Sequence, residues 1–72
     1  MALRLQRFIA YVHKLSGTPA PVLENLVRDR ARYSPLYRSA ALRHLVCDAP
    51  LEVTGGKPYA ERRRRVRQHY GI

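Results

Sequence analysis

The residues best suited to chemistry lie near the C-terminus, where five arginines stand between two tyrosines. A lysine precedes them, and Glu61 is the one acid in the last sixteen residues. Guanidinium groups match phosphate oxygens bidentately, and tyrosine rings can stack on exposed bases. This segment therefore predicts a surface for an anionic partner. Its members are Lys57, Tyr59, Arg62, Arg63, Arg64, Arg65, Arg67 and Tyr70.

The chemistry of that partner stays open at the level of sequence. Four consecutive arginines repel one another on a helix until an anion neutralises them. An acidic protein surface, RNA or DNA phosphates, and anionic lipid headgroups would each serve. A solvated charged face is the simplest alternative, because a basic run carries no groove geometry of its own.

The whole chain has the composition of one small basic domain spanning residues 1–72. It carries a net charge of +9, and 46% of its residues are hydrophobic. A domain of this size buries only about 60% of its unfolded surface, so its stability should be marginal without a partner. Cys47 is the single cysteine, which excludes an internal disulfide and predicts an intracellular, reducing compartment.

Residues 1–16 are predicted to form an amphipathic helix. Its apolar positions recur at helical spacing and are Leu5, Phe8, Ile9, Val12 and Leu15. A secondary basic face carries Arg4, Arg7 and Lys14, with no acid in the first twenty residues. This composition is typical of a mitochondrial targeting segment, of an ordinary packed helix, or of a helix that contacts a membrane surface. No apolar run approaches the roughly 20 residues of a transmembrane helix.

Two further apolar stripes and a basic helix complete the predicted fold. A second helix covers residues 21–33, and Ser34-Pro35 begins a third with almost no linker. Residues 48–57 are expected to be a loop, and residues 58–70 a basic helix that ends at Gly71. The predicted fold is an all-α bundle of three to four short helices, the last strongly basic. The two stripes contain Val22, Leu23, Leu26 and Val27, then Tyr37, Ala41, Leu42, Leu45 and Val46.

Other reactive residues do not assemble a site. His44 and Cys47 lie three apart and could share a helix face, but two more metal ligands or an orienting group are missing, so a buried cysteine is the expectation. Gly55-Gly56-Lys57 lacks the strand and spacing of a P-loop. A helix-turn-helix is disfavoured, because its turn of three or four residues does not fit at Ser34-Pro35. We expect no metal, no cofactor and no enzymatic activity.

The tripeptide Leu36-Tyr37-Arg38, followed by Arg43, resembles the motif of the LYR-motif family. Members of that family are small, basic, helical mitochondrial proteins that act as accessory subunits or assembly adaptors of respiratory complexes. The family places the tripeptide near the start of a three-helix bundle, whereas here only thirty-four residues follow it, none of them phenylalanine. The resemblance covers a few residues, and we assign no family on it.

These observations predict a non-catalytic accessory subunit that stabilises a larger assembly, with a mitochondrial respiratory complex, ATP synthase or ribosome as candidates. Apolar helix faces and the arginine cluster would contact protein subunits of that assembly. The alternative is a stand-alone nucleic-acid-binding protein that uses the C-terminal arginine helix. A mitochondrial location is favoured.

Overall fold

The computed structural model describes the backbone of residues 2–72 and the side chains of residues 6, 7 and 9–72. The described chain is all-α and contains no strand. Its helices are α1 (Ala2–Leu15), α2 (Ala20–Arg28), α3 (Pro35–Asp48), α4 (Leu51–Thr54) and α5 (Tyr59–Tyr70). Five helices therefore replace the predicted three to four. The additional one is α4, a single turn inside the segment expected to be a loop, ended by Gly55 in the left-handed conformation.

Helix α3 is the centre of the fold. It packs against α1, α2 and α5, and α4 packs against α5. Five of the nine hydrophobic side chains that are buried among the described residues belong to α3. These nine are Leu15, Leu23, Leu26, Ala40, Ala41, Leu42, Leu45, Val46 and Val66.

Helix α2 ends five residues earlier than predicted, at Arg28 rather than Tyr33. Asp29 has φ −82° and ψ 82°, which is the geometry of an inverse γ-turn, and the Arg30 amide donates to the Arg28 carbonyl at 3.0 Å. The Asp29 carboxylate then accepts from the Arg32 amide at 3.0 Å. A short acidic side chain thus competes with the helical hydrogen bonds. Residues 29–34 connect α2 to α3, and this connection is longer than the turn of three or four residues in a helix-turn-helix motif.

The predicted start of the third helix is confirmed. The Ser34 hydroxyl accepts a hydrogen bond from the Tyr37 amide at 3.3 Å, and Pro35 occupies the first helical position. Serine satisfies an amide that has no partner within the helix, and proline has no amide hydrogen to lose there. Local chemistry therefore specifies this boundary.

Two predicted core positions are wrong. Ile9 and Val22 are exposed, whereas Val12, Leu15 and Leu23 pack inward. In α1, Tyr11 is 41% exposed, and its ring stacks on Tyr37 of α3 with centroids 4.3 Å apart. The contacts between α1 and α3 therefore include Tyr11. The predictions for Leu5 and Phe8 lie outside the described side chains.

Candidate anion-binding groove

A groove of about 350 Å³ lies between the end of α2, α3 and the C-terminal half of α5. Five arginines line it, from α2, the connection after α2, α3 and α5, and none of the described lining residues is acidic. The arginines are Arg28, Arg30, Arg38, Arg63 and Arg67, and the remaining lining residues are Val27, Pro35, Ser39, Leu42, Gly71 and Ile72. A concave surface with one sign of charge concentrates anions near it.

Helix α5 is positioned for this groove by contacts on its inner face and at its end. Val66 is 0% exposed. Gly71 adopts the left-handed conformation (φ 68°), so that the Ile72 amide bonds back to the Arg67 carbonyl at 2.9 Å. Ile72 then packs against the core. Arg28 donates to the carbonyl of Tyr70, which ties the end of α2 to the end of α5.

The groove arginines differ in how far the protein itself satisfies them. Arg28 pairs with Glu24 at 2.5 Å, and Arg67 donates to the Ile72 carbonyl oxygen at 3.1 and 3.3 Å. Arg30, Arg38 and Arg63 have no salt bridge or side-chain hydrogen bond among the described residues. Arg38 is half-buried, and its Nε is buried without an acceptor. A buried donor left unsatisfied costs about 1–3 kcal/mol, and the Nε of Arg62, which does not line the groove, is also buried without an acceptor among the described residues.

Two of the four consecutive arginines share one carboxylate within α5, which offsets one of their two positive charges. Arg64 donates through Nε to Glu61 at 3.1 Å and forms a second, shorter bond through its terminal nitrogen, and Arg65 Nε lies 3.2 Å from the same carboxylate. The hydrogen bond from Arg64, then that from Arg65, lowers the pKa of Glu61 from 4.5 to about 2. The same pairing raises the pKa of Arg64. The Arg65 guanidinium also packs beside the Gly55 turn.

Tyr59, one of the residues predicted to contact the anionic partner, lies beside the groove. A second depression, of about 230 Å³, is lined by Leu36, Arg43, Tyr59 and Arg63 among others. Arg63 lines both depressions. Tyr59 is 37% exposed, and the guanidinium carbons of Arg43 and Arg62 lie over its ring, 5.7 and 5.8 Å from the centroid. Arginines and a partly exposed tyrosine are therefore combined in one surface.

The other predicted residues do not line the groove or the depression beside it. Arg62 is half-buried on the side of α5 that carries Val66, because residues four apart share a helix face. The Tyr70 side chain is half-buried against the core. Lys57 is exposed in the turn before α5. On α1, Arg7 and Lys14 are exposed and do not line the groove, and the side chain of Arg4 lies outside the described residues.

Sequence reasoning missed Arg28, Arg30 and Arg38. They are single cations spread over eleven residues, and only the fold brings them beside Arg63 and Arg67. One signal was available, because Arg38 belongs to the tripeptide that resembles the LYR motif. In that tripeptide Leu36 is exposed and Tyr37 stacks on Tyr11.

Cys47 is exposed rather than buried, and that prediction is wrong. It follows Val46, which faces the core, so its own side chain points outward. His44 beside it is half-buried. The described residues contain no group of three or more potential metal ligands. Among the described helices, none has the length and apolar character needed to cross a bilayer.

Comparison with known proteins assigns no relative. No protein-family model matches the chain, and no curated protein and no solved structure matches it significantly. The arginine groove and the charges around it therefore carry the functional argument.

Proposed function

We propose that this protein is a non-catalytic accessory subunit that docks on an acidic surface of a larger assembly. The observation that carries the proposal is the groove of Arg28, Arg30, Arg38, Arg63 and Arg67, in which no described lining residue is acidic. Three of these guanidinium groups have no partner among the described residues. Carboxylates or phosphates of a neighbour would supply the missing acceptors and neutralise the net charge.

The apolar contribution to docking is smaller than the sequence suggested. The stripes of α1, α2 and α3 pack mainly against one another, so they form the core of this domain rather than an open face. Leu36 and Tyr59, beside the groove, are the exposed apolar side chains best placed to extend a contact. Charged residues at the groove then determine the orientation and rate of docking more than the area buried does.

The assembly we propose is a mitochondrial respiratory complex, ATP synthase or ribosome. The location rests on the first twenty residues, which contain Arg4, Arg7 and Lys14 and no acid. A C-terminal fluorescent fusion of the full chain should concentrate in mitochondria, and substitution of these three cations by glutamine should disperse it. A fusion that stays diffuse in the wild type would refute the location and leave the docking role standing.

The docking role is tested by native purification of the tagged full-length chain from its source cells, with and without nuclease. We expect a discrete set of proteins that survives nuclease. The double variant Arg30→Gln/Arg63→Gln should lose most of that set. Arg32→Gln/Lys57→Gln removes the same net charge from exposed residues outside the groove and should retain it. Equal loss from both variants, or recovery of no partner by the wild type, would overturn the proposal.

A second candidate function is that of a stand-alone nucleic-acid-binding protein. It is favoured by one specific observation, the cluster that Arg43 and Arg62 form with the partly exposed Tyr59 at the edge of the groove. In the same purification, nucleic acid recovered without protein partners would support this candidate. Membrane-surface contact through residues 1–16 is a third candidate, and it predicts that a peptide of those residues becomes helical on anionic vesicles.

A further inference from the structure

We infer that the groove binds an acidic segment of a partner protein in which acidic residues flank an apolar side chain. The inference rests on the docking role proposed above and deepens it, because it names the kind of segment that the groove accepts. Its basis is the composition of the groove, which combines exposed arginines with apolar lining residues.

The first step is the charge that the groove leaves free. Arg30 follows α2 and Arg63 lies in α5, and both are exposed residues that line the groove. Neither has a salt bridge or a side-chain hydrogen bond among the described residues, and no described lining residue is acidic. Carboxylates of another molecule can therefore pair with both guanidinium groups without displacing a described partner of either.

The second step is the apolar part of the lining, which consists mainly of Val27, Pro35 and Ile72. Pro35 is exposed, and Val27 and Ile72 are only partly buried although they pack against the core. An apolar side chain placed against these residues would remove apolar surface from water on both molecules, which favours binding in proportion to the area covered. The groove thus offers an apolar contact as well as charge.

The third step is the choice of a protein over nucleic acid. A sugar–phosphate backbone carries a charge at every nucleotide, so its phosphates would pair with the arginines and bring no apolar side chain to the lining. A polypeptide can place an apolar side chain between acidic ones. Stacking of a base on Tyr59 adds no support for nucleic acid, because the Arg43 and Arg62 guanidinium groups already lie over that ring.

The fourth step is the continuation of the surface past the groove. Arg63 also lines two neighbouring depressions, of about 440 and 230 Å³. The first adds Arg64 and the second adds Arg43, and none of the described residues that line either depression is acidic. Cations therefore lie both within the groove and beyond Arg63, which suits a segment with acidic residues on both sides of its apolar residue.

The test uses the full-length protein and a fluorescein-labelled peptide in which three glutamates stand on each side of a central leucine. Binding is followed by anisotropy at low salt. Replacing the leucine by serine keeps the charge of the peptide and should weaken binding about fivefold to tenfold, because part of the burial of the leucine is lost. A purely electrostatic contact would bind both peptides equally.

Variants of the protein place the contact. Arg30→Gln/Arg63→Gln should weaken binding of the leucine peptide between about threefold and thirtyfold, the range that two exposed ion pairs support. Arg32→Gln/Lys57→Gln, with the same net charge, should weaken it less than about twofold. Ser39 is exposed and lines the groove, so Ser39→Glu should bind at least about threefold more weakly than the similarly sized Ser39→Gln. Circular dichroism checks that each variant is folded.

Equal binding of the leucine and serine peptides would refute the inference and leave docking by charge alone standing. Equal effects of the groove and control variants, or tighter binding of an oligouridine of the same net charge, would overturn it as well. Wild-type protein that binds neither peptide but recovers its protein partners in the native purification would refute this inference alone. Failure of both measurements would refute the docking role too.

Discussion

The attachment of α5 is the feature of this fold most open to a quantitative test. Val66 is the one fully buried side chain of α5, and Val46 of α3 is buried to the same extent, at 0% exposed. Truncating either valine to alanine removes two buried methyl groups. At about 0.8 kcal/mol for each, and with a small cavity added, the expected loss is about 2 kcal/mol at each position.

The two losses should act on different parts of the molecule. Besides Val66, the C-terminal segment contributes to the core only through the half-buried Tyr70 and Ile72. We expect Val66→Ala to lower the ratio of docked to undocked α5 about thirtyfold, since 1.4 kcal/mol corresponds to a factor of ten. Val46 lies in the helix that contacts α1, α2 and α5, so Val46→Ala should destabilise the whole domain.

Native-state hydrogen exchange, resolved by residue, is the assay. In Val66→Ala, amides of residues 59–70 should lose protection about thirtyfold while amides of residues 35–48 change little. In Val46→Ala, both helices should lose protection together. Because Arg63 and Arg67 reach the groove only when α5 is docked, anion binding should weaken in Val66→Ala. Uniform loss of protection in both variants would refute the view that α5 is a separately released element.

Two further predictions concern charged groups outside the core. Replacing Arg28 by methionine removes its bonds to Glu24 and to the Tyr70 carbonyl, which should lower the stability by about 1–2 kcal/mol and the melting temperature by about 4–8 °C per kcal/mol. Arg32, which pairs only with nearby Asp29, is the matched control and should cost less than about 0.5 kcal/mol. For Glu61, the depressed pKa means that its contribution to stability is fully present above about pH 4.5 and is lost as the pH falls toward about 2. The carboxyl carbon shift of Glu61 should therefore titrate near pH 2.

Each of these two predictions has an outcome that would contradict it. Equal stabilities of the Arg28→Met and Arg32→Met variants would mean that the link between α2 and α5 contributes nothing. Titration of Glu61 near pH 4.5 in the wild type would mean that its bonds to Arg64 and Arg65 do not persist in solution. In Arg64→Gln/Arg65→Gln, by contrast, a midpoint moved up toward pH 4.5 is the expected result.

The all-α class, the start of α3 and the apolar stripe of α3 were predictable because they depend on local chemistry. Serine followed by proline favours the start of a helix, as at Ser34 and Pro35. A helical period places Leu42, Leu45 and Val46 on one face. The concentration of arginines near the C-terminus is equally visible in the sequence, and their contact with an anionic partner stays a prediction. Composition and period suffice for such features because they involve residues within a turn or two of one another.

Tertiary packing decided the rest. The α1 face that contacts α3 includes Tyr11, whose ring stacks on Tyr37. Helix α2 ends where the Asp29 carboxylate accepts a hydrogen bond from a backbone amide. The groove brings Arg30 and Arg38 to Arg63, across about thirty residues of chain. No local period reports such a distance, because it depends on how α5 docks on α3 through Val66. The sequence therefore shows which residues carry the charge, and the fold determines which of them line one groove.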